Sequence, residues 1–260
     1  MNSQDVRKKL AAGQATLGSW ITFTDPSVAE IQARAGYDWL AVDMEHSPIT
    51  LDIAQDLIRV IALCGVCPLV RVPANDPTII KRVLDAGAEG IIVPMVNSRR
   101  DAENAVAAAR YPVRGRRSVG IARAQGFGPG FKRYVREAGD SVLVVVQIEH
   151  IEAVRKIDSI LKVKGIDAFM VGPYDLSGSM GIPGQLDNPK VAEALKKVAA
   201  AGRKAKVPAG VHIVYPEPER MAARREEGFQ FLAYGVDFLF LGETSRAGVK
   251  RIRADLEKCK

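Results

Sequence analysis

The sequence predicts a (β/α)8 TIM barrel, and three observations predict it. Eight short apolar runs of strand length alternate with segments of helical period. Four stretches, AGYDWLAVD, AGAEGIIVP, VKGIDAFMVG and YGVDFLFLG, share a helix-ending glycine ahead of a buried strand. Acidic and polar residues gather where strands run into the following loops, the end at which such barrels carry their chemistry. A doubly wound open sheet is the alternative, but no glycine-rich dinucleotide turn follows the first strand. At 260 residues the chain reads as one barrel domain over 1–260.

The elements follow in order. After a short amphipathic opening, strand one is placed at 17–22, and Asp25-Pro26 supplies an N-cap with proline in the first helical turn. That helix stops near Gly36. Strand two is read at 38–43, a helix at 50–63, strand three at 67–72 and a helix opened by Asp76-Pro77. Strand four is read at 90–96 and a helix at 98–110; a Gly- and Arg-rich segment, 111–130, and a short helix then precede strand five at 141–150. A helix at 151–163, strand six at 167–172, a Gly/Ser/Pro-rich loop to Pro189 and a helix to about Lys206 come next. Strand seven is read at 209–214, a helix at 217–227 and strand eight at 236–242. The terminal helix, 245–258, has apolar spacing suited to packing on a neighbouring subunit.

Composition narrows the function. The net charge of +7 and pI near 9.4 suit an anionic metabolite. The basic residues are dispersed apart from Arg114, Arg116 and Arg117, and no aromatic-basic interleaving suggests nucleic acid. No apolar run approaches the roughly 18 residues of a membrane span. The first ten residues lack the apolar core of a secretory signal. Cys64, Cys67 and Cys259 form no disulfide framework, so a cytoplasmic location is expected. The Cys64–Cys67 spacing matches a redox motif or half a zinc site, but it falls at the amino end of a strand and reads as structural.

Strand five, SVLVVVQIEH, places Leu143, Val145, Gln147 and Glu149 on one face. It delivers an amide and a carboxylate to one spot, and a buried carboxylate needs a cation, a proton or donors. Glu149 and Asp175, from neighbouring strand ends, form a ligand pair for a hard divalent ion such as Mg²⁺ or Mn²⁺, with Co²⁺ a further option. The alternative is that Glu149 caps the helix at Ile151 and Asp175 caps a turn. Asp43, Glu45 and His46 end strand two, where a carboxylate could orient the imidazole. Arg71 in LVRVP needs a carboxylate, Asp43 or Glu45, or an anionic ligand. His212 faces either the barrel axis or the helix layer.

Together DMEH (43–46), VRVP (70–73), LDAGAEGIIVP (84–94), YPVRGRRSVG (111–120), QIE (147–149) and GPYDLSGSMG (172–181) resemble the HpcH/HpaI family of metal-dependent pyruvate aldolases. The resemblance runs from about Leu17 to Arg246. It implies a (β/α)8 barrel, a divalent metal on Glu149 and Asp175, and a small 2-oxo acid substrate. Gln147, Gly172, Tyr174 and Asp175 would hold pyruvate. Arg71 would stabilise an enolate oxygen, His46 would be the general base, and Asp85 would support that histidine. It also implies a homo-oligomer, commonly a hexamer, in which Arg116, Arg117 and Arg123 would either meet an acidic substrate tail or form a solvated basic loop. Tyr174, Ser118, His212 and Tyr215 depart from the family pattern, so Tyr174 and His212 are expected to shape the aldehyde end. The resulting expectation is cleavage of a 4-hydroxy-2-oxo acid to pyruvate and an aldehyde. Oxaloacetate decarboxylation on the same site, or a noncatalytic barrel whose basic loop binds an acidic partner, are the alternatives.

Overall fold

A computed structural model describes residues 1–258, and their side chains except at 138–140; Cys259 lies outside the described residues. Its strands are β1 (Thr16–Ile21), β2 (Trp39–Asp43), β3 (Cys67–Arg71), β4 (Gly90–Val93), β5 (Leu143–Ile148), β6 (Ala168–Val171), β7 (Ala209–Ile213) and β8 (Phe229–Val236). All neighbours pair in parallel, and β8 closes on β1. Strand alternation divides the core into two. Leu143 and Val145 of β5 join Trp39, Leu69, Ile92, Met170 and Phe231 inside the barrel. Val144, Val146 and Ile148 face the surrounding helices. The interior is a packed core: the rings of Trp39 and Phe231 stack with centroids 4.2 Å apart. Gly18 makes that stack possible, since a Cβ there would lie 2.1 Å from the Trp39 ring.

The opening helix, Ser3–Ala11, seals the amino-terminal end of the barrel, with Val6 and Leu10 in the interior cluster. Its polar attachments follow a pattern in the sequence. Helix-ending glycines Gly36, Gly87 and Gly165 adopt φ of +97°, +101° and +99°, a region open to glycine, and each is followed two residues later by an acid. Asp38 pairs with Lys9 at 2.8 Å, Glu89 accepts from the Ser3 N–H at 2.6 Å, and Asp167 pairs with Arg7 at 2.8 Å. The fourth member is Gly228, at φ +102°, with Gln230 in the acid's place.

The last strand therefore differs from its sequence expectation. YGVDFLFLG also carries glycine followed two residues later by an acid, but it leaves the barrel instead of beginning a strand. β8 is 229–236, because those residues pair with β7 and with β1. The stretch 237–242 opens the helix Asp237–Lys258. Asp237 is buried, and its carboxylate accepts from the N–H groups of Thr22 and Phe23 and from the Thr22 hydroxyl, fixing the loop after β1. Smaller differences occur elsewhere. β5 begins at Leu143 because the helix Phe131–Ser141 runs up to it. The 151–163 segment breaks into Ile151–Arg155 and Ile157–Ile160. The expected loop after β6 contains the helix Pro173–Ser179, with proline at its first turn.

No helix among the described residues is long and apolar enough to cross a membrane. Cys64 and Cys67 are free thiols; Cys67 lies in the barrel interior, where burial pushes its thiol up. Truncating the sealing helix tests its part in stability. Leu10→Ala is expected to cost about 2–5 kcal/mol, the range for emptying a buried leucine site, measured by urea unfolding.

Candidate active site

The carboxyl ends of the strands surround a cavity of about 380 Å³, lined among others by Trp20, Asp43, His46, Arg71, Gln147 and His212. Gly172, Tyr174 and Asp175 border it from the β6 side. Glu149 follows β5 by one residue and is 2% exposed. One carboxylate oxygen accepts the Met95 N–H at 2.6 Å, and the other contacts the Gln147 amide. Met95 sits at φ +53°, an unusual conformation for a side chain of its size, and its N–H meets the carboxylate from that conformation. A Cβ at Gly172 would lie 2.8 Å from Glu149 Oε2 and 3.2 Å from Gln147 Nε2, so this wall requires glycine.

The capping alternative for Glu149 does not hold. His150 Nδ1 accepts the Glu152 N–H at 3.1 Å, and the Ile151 N–H donates to Ser179 Oγ at 2.9 Å. Glu149 instead points into the site, where burial pushes it up to about 7; the Met95 N–H opposes this, and the charges of Glu45 and Asp175 add to it. Glu45 is pushed up to about 7 as well, by burial first, then opposed by Arg71 and assisted by Asp43 and Asp175.

Crowded carboxyls of this kind fit a hard divalent cation, which would favour their charged forms. Among the described residues no group of three or more His, Cys, Asp or Glu side chains is placed to hold an ion alone. Glu149 with Asp175 would leave coordination positions for water and substrate, a mode suited to Mg²⁺. Gln147 Oε1 is a further buried oxygen without a hydrogen-bond partner.

Arg71 forks onto Asp43, with Nε to Oδ1 at 2.9 Å and a terminal nitrogen to Oδ2 at 2.6 Å, and its Nε lies 3.3 Å from Glu45. Its guanidinium carbon stands 4.4 Å from the Trp20 ring centroid. Burial raises the Asp43 carboxyl, but Arg71 and the N–H groups of His46 and Glu45 outweigh it and hold Asp43 below its ordinary value. The internal ion pair is therefore formed, and Arg71 still lines the cavity. His46 stands at the rim, its side chain 59% exposed, with Nε2 3.7 Å from a Glu45 oxygen.

Asp85 is not brought to His46 within the chain. It ends the helix Pro77–Asp85 ahead of β4, hence at the amino-terminal face of the barrel, and pairs with Arg117 at 2.7 Å. Arg117 is buried against the rings of Tyr111 and Tyr134. Arg123 donates to the Ala86 carbonyl at 3.1 Å, and Arg116 to Asn104 at 3.1 Å. Arg117 is thus packed, held by an acid and two aromatic rings at the opposite end from the cavity, while Arg114 and Arg116 are exposed.

His212 lies towards the barrel axis. Nε2 is 2.9 Å from the Gly235 carbonyl, and the ring lies 5.5 Å from that of Trp20. Burial, with the Arg71 charge adding, pushes it down to about 4. Sequence reading missed Trp20, Met95 and Asp237. The unusual backbone of Met95 leaves no composition signal, whereas Trp20, one of two tryptophans at inward strand positions, was a visible one.

These features place the chain among known proteins. The profile of the HpcH/HpaI aldolase/citrate lyase family matches residues 16–242. The chain belongs to that family. A hydroxypyruvate/pyruvate aldolase of Roseovarius nubinhibens is 37% identical over 96% of each chain. A 4-hydroxy-2-oxovalerate aldolase of Novosphingobium aromaticivorans is 38% identical, covering 94% of this chain and 92% of that one. The crystal structure of an HpcH/HpaI aldolase/citrate lyase family protein from Burkholderia cenocepacia aligns with a TM-score of 0.90 at 33% identity, over 96% of this chain and 99% of that one. Against these family members, the half-buried His212 offers a test on stability. Its folded value is about 4 against 6.5 when unperturbed, so the unfolded chain takes up the proton first as pH falls. Its contribution is complete above pH 6.5 and is lost as pH falls towards 4. Between pH 7 and 5, wild type is expected to lose about 2 kcal/mol more stability than His212→Leu in urea unfolding.

Proposed function

We propose that the chain is a divalent-metal-dependent aldolase cleaving a 4-hydroxy-2-oxo acid to pyruvate and an aldehyde. The observation that carries this reading is the buried Glu149 carboxylate, held by Met95 and Gln147 and raised further by the charges of Glu45 and Asp175. Aldolases of related substrates at 37–38% identity support it. Glu149 and Asp175 would hold Mg²⁺ or Mn²⁺, with Co²⁺ a workable substitute. When bound, the ion makes the 2-oxo group an electron sink.

The chain's own groups supply the rest. His46, exposed at the rim, removes the proton of the 4-hydroxyl. The C3–C4 bond breaks, the aldehyde forms, and the electron pair passes into a pyruvate enolate. Arg71, held rigid by Asp43, places its positive charge against the enolate oxygen. Protonation at C3 then completes pyruvate. Gln147, Gly172, Tyr174 and Asp175 border the pyruvate half, and His212 borders the aldehyde half.

We also place the enzyme as a homo-oligomer, hexameric by resemblance. Leu241, Val249, Ile252 and Leu256 are exposed along the helix Asp237–Lys258 and would pack on a neighbour. Asp85 would support His46 only from another copy, since it stands at the other face of its own barrel. The free thiols of Cys64 and Cys67 support a cytoplasmic location.

The test is pyruvate release from a panel of 4-hydroxy-2-oxo acids. EDTA is expected to abolish activity and Mg²⁺ or Mn²⁺ to restore it; full activity in EDTA, or a borohydride-trapped lysine adduct, would overturn the metal reading. His46→Ala should lower kcat by about 10²–10⁴-fold, the usual contribution of a positioned general base. Arg71→Lys should not rescue Arg71→Ala, because an ammonium cannot make the fork onto Asp43.

A further inference from the structure

We propose that Ser179 is a positioning residue for the metal site, its hydroxyl tying together the two segments that carry Glu149 and Asp175. This rests on the metal-dependent reading and deepens it. Strand pairing holds the two carboxylates only in part. The register of β5 against β6 ends at Ile148 and Val171. Glu149 lies one residue past that point and Asp175 four, so each is carried by chain that has left the sheet. Asp175 stands in the first turn of the helix Pro173–Ser179, and Glu149 precedes the helix Ile151–Arg155.

Ser179 joins those two helices. Its Oγ accepts the Ile151 N–H at 2.9 Å and donates to the Leu176 carbonyl at 2.7 Å. Ile151 is two residues beyond Glu149, and Leu176 follows Asp175 directly. One hydroxyl therefore links two main-chain groups that each lie within two residues of a proposed ligand. The rest of its helix is anchored. Leu176 and Ser177 are fully buried, and Ser177 Oγ donates to the Tyr174 carbonyl at 2.7 Å and accepts the Gly184 N–H at 3.0 Å. The turn bearing Asp175 is thus one unit, and the Ser179 bond sets where that unit stands against the Glu149 loop. The tie works against a load. Glu149 and Asp175 are like charges that act on each other, and that repulsion drives their segments apart when no cation lies between them. Holding them together in advance favours binding of the ion, because less ordering remains to be done when it arrives. A hydroxyl that merely capped the helix Ile151–Arg155 would stabilise the fold and leave the ion's affinity unmoved.

The experiment is Mn²⁺ binding by the full chain without substrate, read from the loss of the free-ion EPR signal. Wild type is expected to bind the ion, and Glu149→Gln to bind it far more weakly. Ser179→Ala should raise the Mn²⁺ Kd about tenfold, the low end for a residue that supports a metal ligand. Ser179→Thr, which keeps the hydroxyl, should recover most of that affinity. Leu10→Ala is the control for lost stability: it loosens the opposite end of the barrel and should leave the Kd unchanged. A Ser179→Ala Kd equal to that of wild type, with Glu149→Gln still weakened, would overturn the positioning role and leave the metal reading standing. A Kd raised equally in Ser179→Ala and Leu10→Ala would overturn it too, since stability alone would then account for the change. If wild type binds no Mn²⁺, or Glu149→Gln binds it as tightly, the metal reading fails and the role of Ser179 falls with it.

Discussion

Everything at the carboxyl end of this barrel answers to the burial of one carboxylate. Glu149 is 2% exposed just past the end of β5, and three features of its surroundings serve it. Met95 adopts a left-handed backbone with its N–H on the carboxylate, Gln147 turns its amide to it, and Gly172 withholds a Cβ that would collide with it. These donors do not offset desolvation, which still pushes the acid up to about 7. A lone structural glutamate would gain little from such an arrangement, and an apolar side chain would fill the space at lower cost. Placing Glu45 and Asp175 near it raises the cost further, so the cluster makes physical sense as an anionic receptacle for a cation.

A second constraint governs the other end. A barrel interior filled by Trp39 and Phe231 leaves apolar surface open at the bottom, and the helix Ser3–Ala11 covers it. The glycine-then-acid pattern serves this cover: the glycine ends a helix at φ near +100°, and the acid two residues on holds the sealing helix or its flank. The pattern was legible in the sequence; its purpose was not. Glycine and acid recur in YGVD, where the strand has already run its length and the acid serves the opposite face. Nothing in a nine-residue window separates those two uses. The register against β1 and β7 does, and register is a long-range property.

The same distinction explains which site residues were legible. Gln147 and Glu149 follow from strand alternation alone, and the need of Arg71 for an anionic partner follows from the cost of an uncompensated buried arginine, whereas the choice of Asp43 comes from the structure. Asp85 was assigned by resemblance to His46, yet helices and strands of a barrel run in opposite directions, so the end of a helix and the end of a strand lie on opposite faces. Met95 was beyond reach, because its contribution is a backbone N–H. The basic loop read either as solvated or as meeting an acidic substrate tail, while two tyrosines and Asp85 bury its central arginine.

The two halves of the cavity are built on different principles. From β2 and β3 round to β5 and β6 charge dominates, with acids crowded at the site and Arg71 locked in a fork that leaves it one orientation. On the β1–β7–β8 side the walls are mainly rings and aliphatic groups, Trp20, His212, Phe238, Val214 and Val236, with Thr22 beside them. A histidine at position 212 is costly to keep neutral and half-buried, whereas an aliphatic residue would pack there without that penalty. Its Nε2 is satisfied by a main-chain carbonyl, so the penalty is partly offset from behind. Charge on one side thus suits a fixed 2-oxo acid head, and the mainly apolar wall on the other suits a small aldehyde.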